Sequence, residues 1–265
     1  MKSRQKSVLG QNFLADTGAQ RRVVDALGAS ATGDVVEIGP GKAAITDLLV
    51  GRAARLLAIE VDPALAAWLR LRYSGMPHVE VLRADVLSVD FTSLARAPGR
   101  SLAVVGNLPY YITSPILGHL FAHEQGISRA VVMVQREVAE RITARPGTRD
   151  YGLLSVLCQM HTQPELLFTL PPEAFTPPPE IHSAVVRLEF APRWAELGVS
   201  PQPFRLFLEA CFAQKRKTLN NNLRSAGYAP MSIAEALAAG SKLATARAEE
   251  LSPPELAAIY RLLQP

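Results

Sequence analysis

Polar residues able to bind or react stand where short apolar runs end. Glu37 precedes the turn IGPGK, Glu60 ends LLAIE, Asp85 follows VEVLRA, and Asn107 follows LAVVG. In the turn, Gly39 and Gly41 let backbone amides approach a ligand at a strand's C-terminal edge, where open α/β sheets bind. The turn has neither the GxxxxGK[ST] of a phosphate loop nor the third glycine of a dinucleotide fingerprint. Glu37 beside it would repel a pyrophosphate and suits a cationic group. Glu60 follows Gly39 by about twenty residues, the spacing of an acid that accepts both hydroxyls of a ribose. The bland reading of Glu60 is a helix cap, a role that Asp62 before Pro63 can fill. Asp85 can accept a bond from an adenine's exocyclic amine, or it is an ordinary turn aspartate.

Taken together, Glu37, Glu60 and Asp85 line a nucleoside pocket with acids and offer no phosphate cradle. S-adenosylmethionine fits that description: it has a sulfonium, an amino group, a ribose and an adenine, and no phosphate. Asn107 would then stand beside a methyl donor. An adenine amine is a poor nucleophile because its lone pair is delocalised into the ring. Acceptors bonded to its hydrogens draw it toward tetrahedral geometry and free the lone pair. The Asn107 side-chain carbonyl and the backbone carbonyl of Leu108 can do this together, with Pro109 stiffening the turn and Tyr110 stacking on the base. No strong general base is required, since the nitrogen becomes acidic once methylated. The alternative for LAVVGNLPYY is a strand-end turn with buried tyrosines.

The elements that must position these residues follow from the pattern. VVEI (35–38), LLAIEV (56–61), VEVL (79–82), LAVV (102–105) and AVVMV (130–134) are apolar runs separated by helix-like stretches, which predicts parallel strands buried on both faces. PELLFTL (164–170) and SAVVRLEF (183–190), joined by a proline-rich loop, predict an antiparallel addition at a sheet edge. Beyond Pro192 the composition turns helical, so a boundary falls near residue 200 and divides the chain into 1–199 and 200–265. The 265 residues, 48% of them hydrophobic, suffice for one large α/β domain and a smaller one.

Charge and composition narrow the partners. The net charge of +4 tilts toward an anionic partner. Lys2, Arg4 and Lys6 form one basic run and Lys215, Arg216 and Lys217 another, expected on a C-terminal helix. Either is a phosphate-binding patch or a solvated face. Arg141, Arg145 and Arg149 are weaker candidates of the same kind. Cys158 and Cys211 form no CxxC, and no apolar run is long enough for a membrane helix, so a cytoplasmic protein without membrane attachment is expected. His119 and His123 stand at i, i+4 without an HExxH frame, so no metal is expected.

These stretches, in order and spacing, resemble the small-subunit ribosomal RNA adenine N6-dimethyltransferase family over nearly the whole chain. GQNFL (10–14), EIGPG (37–41), IEVD (59–62), AD (84–85), NLPYYITSPI (107–116), AFTPPPEIHSAVVRL (174–188) and QKRKTLNNNL (214–223) carry the resemblance. NLPYY is similar to the [DNS]-P-P-[YF] motif of amino-methyltransferases, with leucine in its second place. The resemblance implies a Rossmann-like class I methyltransferase sheet of seven strands, the last antiparallel, with a small all-helical C-terminal domain. It implies dimethylation of two adjacent adenosines in the 3′-terminal hairpin of small-subunit rRNA, within an immature 30S particle. Carried over by motif, Asn12 and Leu14 cover the cofactor, Gly39 lies against its methionine part, and Phe175 faces Tyr110 across the target base. Ala43 departs from the family's GPGxGxLT, and its methyl is expected to crowd the cofactor or shift the turn. Ala84 replaces a glycine. The competing readings are a large-subunit rRNA adenine methylase of the antibiotic-resistance type and a non-catalytic RNA-binding assembly or transcription factor. A monomer is expected, because the RNA partner is large.

Overall fold

The computed structural model describes residues 12–95 and 101–264, and the basic run Lys2, Arg4 and Lys6 lies outside them. Nine strands occur among the described residues: β1 Phe13–Leu14, β2 Asp34–Ile38, β3 Arg55–Glu60, β4 Val79–Arg83, β5 Leu102–Asn107, β6 Ile127–Gln135, β7 Thr162–Leu170, β8 Phe175–Thr176 and β9 Ser183–Phe190. Seven of them form one sheet in the order β4-β3-β2-β5-β6-β9-β7, and β1 pairs with β8 separately.

The apolar runs become strands because both faces of the sheet are covered. All five residues of β2 are buried, as are the first five of β5. Val35, Leu56, Ala103, Val105, Val131, Met133 and Val185 share one core cluster. The pairs β2–β3, β3–β4, β2–β5 and β5–β6 are parallel, and β9 runs antiparallel to β6. The late pair thus adds as expected, with β7 outermost. The strand order reverses at β2, where successive strands leave to either side, so a crevice opens at the C-terminal ends. Gly106 keeps β5 close to β2, because a Cβ there would come within 2.6 Å of the Ile38 carbonyl oxygen.

Local capping signals set the ends of two helices. Asp62 caps the helix Pro63–Arg72 by accepting from the N–H of Ala64 at 2.8 Å and of Leu65 at 3.1 Å, with Pro63 in the first turn. Ser252 opens the helix Pro253–Leu263, and Glu255 reaches back to its N–H at 2.8 Å.

The chain divides into two compact units, residues 1–139 with 165–190 and residues 140–164 with 191–265. This differs from a single cut near residue 200. The helix Leu153–His161 is amphipathic and must bury Val156 and Met160; it does so in the same core as Phe204, Phe207 and Tyr260. The Tyr151 hydroxyl donates to the Leu251 carbonyl at 2.9 Å within that unit. Among the described residues no helix is long and apolar enough to cross a membrane.

Candidate active site

The ends of β2, β3, β4 and β5 lie along one edge of the sheet. A cavity opens there, lined by Glu37, Glu60, Asp85 and Asn107 and floored by Ile38, Ile59, Leu108 and Met133. Successive parallel strands therefore bring the four sequence-predicted polar residues together.

Glu37 is 2% exposed, and its Oε2 has no hydrogen-bond partner among the described residues. Burial pushes its carboxyl up to about 8; Thr46 beside it opposes the shift, and the Glu60 charge adds to it. A buried acid with a spare acceptor favours a cationic ligand group, which would draw it back to the ionised form. Glu60 is equally buried, but its oxygens are employed: Oε2 accepts from the Gly41 N–H at 3.0 Å and Oε1 from the Asp62 N–H at 2.9 Å. Each carboxylate oxygen retains a second lone pair, so Glu60 is held rigidly and can still accept two hydroxyls. Asp85 caps the short turn Val86–Ser88 by accepting from the Leu87 N–H at 3.0 Å. It is thus the turn aspartate of the bland reading while also lining the cavity.

Asn107 ends β5 with its orientation decided. Its Nδ2 donates to the Asn12 carbonyl at 2.8 Å, and a carbonyl accepts only. The other amide atom, Oδ1, is buried without a partner among the described residues. Leu108 is anchored by its N–H on the Met133 carbonyl at 3.0 Å. Tyr110 is fixed by a 2.5 Å hydroxyl contact with Ser183 Oγ at the start of β9. Burial raises the Tyr110 pKa, partly offset by Ser183, so the ring stays neutral. Tyr111, on the same turn, also lines the cavity and is 67% exposed.

Asn12 and Leu14 reach the cavity through β1, which the sequence reading missed. Leu14 pairs with Phe175 and Phe13 with Thr176. That short ladder carries Phe13 onto the glycine-rich turn, where a Cβ on Gly41 would come within 2.8 Å of its ring. Gly39 and Gly41 adopt φ of 66° and 55°, values that favour glycine. Their amides, however, do not wait for a ligand. Gly39 donates to the Ile59 carbonyl at 2.9 Å, and Gly41 is held by Glu60.

Three expectations are corrected. Phe175 is 2% exposed, packs in the core with Leu14, Leu170 and Ala174, and is absent from the cavity wall, so its pairing with Tyr110 across a base is not present in this geometry. Ala43 does not crowd the cavity: it takes φ of 67° and turns its methyl into a cluster with Leu69 and Tyr73. Lys215, Arg216 and Lys217 are exposed in a turn between the helices Pro201–Cys211 and Leu219–Ser225, not on a helix. Asn222 Nδ2 holds that turn by donating to the carbonyls of Cys211 at 2.7 Å and Gln214 at 3.2 Å. Lys215 Nζ donates to the Arg149 carbonyl at 2.9 Å, which brings Arg149 to the basic turn. The imidazoles of His119 and His123 are used inside the fold, on the carbonyls of Val89 and His119.

The residues present fit S-adenosylmethionine: a spare buried acid, a rigid carboxylate at the ribose position, and no free phosphate cradle. Fold and cavity together define an α/β methyltransferase. The model of the ribosomal RNA adenine dimethylase family matches residues 2–264. The ribosomal RNA small subunit methyltransferase A of Acidobacterium capsulatum is 58% identical over 259 residues, covering 98% of this chain and 91% of that protein. Its counterpart in Koribacter versatilis is 48% identical, with 99% and 96% covered. Among solved structures, the 23S rRNA methyltransferase ErmE superposes with a TM-score of 0.72 at 26% identity, covering 95% of this chain and 99% of ErmE. A dimethyladenosine transferase from Plasmodium falciparum shares the fold, with a TM-score of 0.75 at 21% identity and 93% and 95% covered. The chain belongs to the ribosomal RNA adenine dimethylase family. It is a methyltransferase that uses S-adenosylmethionine.

Proposed function

We propose that this enzyme dimethylates two adjacent adenosines in the 3′-terminal hairpin of small-subunit rRNA, acting in the cytoplasm as a monomer on an immature 30S particle. The observation that carries the reading is Asn107 Oδ1, a buried acceptor without a partner at the end of β5, in a cavity lined by acids. Relatives named ribosomal RNA small subunit methyltransferase A cover nearly the whole chain and support the same substrate.

Bound in the cavity, S-adenosylmethionine supplies a methyl group made electrophilic by its sulfonium. Glu60 would hold the ribose hydroxyls, Asp85 the adenine amine, and Glu37 the cationic end. Asn12 and Leu14 would cover the donor. Asn107 Oδ1 and the Leu108 carbonyl accept the hydrogens of the target amine and turn its lone pair outward. Tyr110, tied to Ser183, stacks on the target base. After transfer the nitrogen is acidic and releases its proton to water without a side-chain base. Splaying the adenosine out of the hairpin costs a few kcal/mol, which phosphate contacts offset. Lys2, Arg4 and Lys6 and the turn Lys215–Lys217 are the proposed contacts, with Arg149 beside the latter.

The test uses radiolabelled S-adenosylmethionine and immature small subunits from cells lacking the endogenous enzyme. Nuclease mapping and mass spectrometry should find dimethyladenosine at two adjacent positions near the 3′ end. Label confined to large-subunit RNA would give a large-subunit methylase instead. Binding without label would leave an assembly factor.

A further inference from the structure

We infer that Lys42 binds the carboxylate of the methyl donor's methionine end and so selects a donor that carries one. The inference rests on reading the cavity as the S-adenosylmethionine site and deepens it by assigning the donor's one negative group. The donor carries two positive groups, the sulfonium and the ammonium, and one negative group, the carboxylate. The described cavity wall carries the acids Glu37, Glu60 and Asp85 and a single cation, Lys42.

A carboxylate near a glycine-rich turn would ordinarily be taken by backbone N–H groups. Here three of those donors are spent within the protein. Gly39 donates to Ile59, Gly41 to Glu60, and Ala43 to the Pro40 carbonyl at 2.9 Å. A side chain on the turn can stand in for these three. Lys42 is exposed, and its Nζ stands 4.8 Å from the centroid of the Phe13 ring. Phe13 in turn is seated on Gly41, where no side chain could fit. The ring, itself part of the cavity wall, therefore holds the ammonium by a cation–π contact. Among the described residues Lys42 makes no ion pair, so its donors are free for an anion.

The test is calorimetric and needs no turnover. The full-length protein, Lys42→Met and Lys42→Arg are titrated with S-adenosylmethionine and with decarboxylated S-adenosylmethionine, which lacks only the carboxylate. The unaltered protein should bind the decarboxylated donor about tenfold more weakly, the worth of one charge-assisted contact. Lys42→Met should bind S-adenosylmethionine about tenfold more weakly and lose the discrimination between the two ligands. Lys42→Arg should recover most of both. The melting temperature should not move, since Lys42 is exposed. Discrimination preserved in Lys42→Met overturns the inference. So does an unchanged donor affinity with a weakened calorimetric affinity for RNA, which would make Lys42 a phosphate contact. If the unaltered protein binds neither ligand, the reading of the cavity itself fails, a result separate from either of these.

Discussion

In the helical unit, Phe207 packs between Phe204, Tyr228 and Tyr260, with ring centroids 5.2 Å from Tyr260 and 5.9 Å from Phe204. At the sheet edge, Glu37 and Asn107 hold buried acceptor atoms that bond to nothing among the described residues. The helical unit does keep one such atom, Asn222 Oδ1, but the amide nitrogen of that side chain staples the basic turn. An unsatisfied buried acceptor costs about 1–3 kcal/mol. The sheet edge collects two in one cavity, where a ligand can repay them. One region uses burial to hold the fold; the other holds polar atoms ready for a partner. Substitutions should therefore separate stability from activity according to region.

The largest effect is expected in the helical core. Phe207→Ala should lower the unfolding free energy by about 4 kcal/mol, through lost burial and the cavity left behind. Denaturant unfolding measures it, and donor affinity at a temperature where the variant is folded should be unchanged. A large loss of donor affinity would break the separation between regions. Next comes Asn107→Ala, expected to cut the single-turnover rate by about a hundredfold, the usual cost of removing one acceptor aimed at the reacting group. Donor affinity should fall far less, and equal losses in both would remove Asn107 from the amine.

Glu37 sharpens the comparison through pH. Its folded-state value is about 8 against an ordinary 4.5, because burial penalises the charged form and Glu60 and Asp47 add to the penalty. A raised folded value means that the folded state holds its proton more tightly. The stability this contributes is complete below 4.5 and is lost as pH rises toward about 8. Glu37→Gln should remove that slope, visible as melting curves that stay level where those of the unaltered protein decline. Binding runs the other way. A cationic donor needs the ionised carboxylate, so affinity should rise by up to about tenfold per pH unit until about 8, with a proton released on binding. Calorimetry in two buffers of different ionisation enthalpy counts that proton. A flat profile in the unaltered protein would separate Glu37 from the donor's charge.

The legible part of the site was the part fixed by strand ends. Glu37, Glu60, Asp85 and Asn107 each follow an apolar run, and parallel pairing alone brings such residues to one edge. What escaped depended on contacts distant in sequence. No local pattern shows that Phe13–Leu14 pairs with Phe175–Thr176, or that Ser183 fixes Tyr110. The core position of Phe175 follows from that same pairing. The basic run at 215–217 reads as helical by composition, yet Asn222 ties it down as a turn. The helical unit claimed residues 140–164 because an apolar helix face sought the nearest core, a choice that composition along the chain does not record.

Ala43 provides the smallest and most exacting prediction. It holds φ of 67°, where a side chain costs roughly 1–2 kcal/mol relative to glycine. Its methyl is fully buried against Leu69 and Tyr73, and burying one such carbon contributes about 0.8 kcal/mol. Glycine would also widen the unfolded ensemble, which removes roughly another 0.4–1 kcal/mol of stability. The opposing terms nearly cancel, so Ala43→Gly should change the unfolding free energy by less than about 0.5 kcal/mol. Donor affinity should stay within twofold, because the methyl points into the core and Ala43 is no part of the cavity wall. A clear gain in donor affinity would mean that the methyl does crowd the cofactor, and that the turn moves as a unit with its amides when the donor binds.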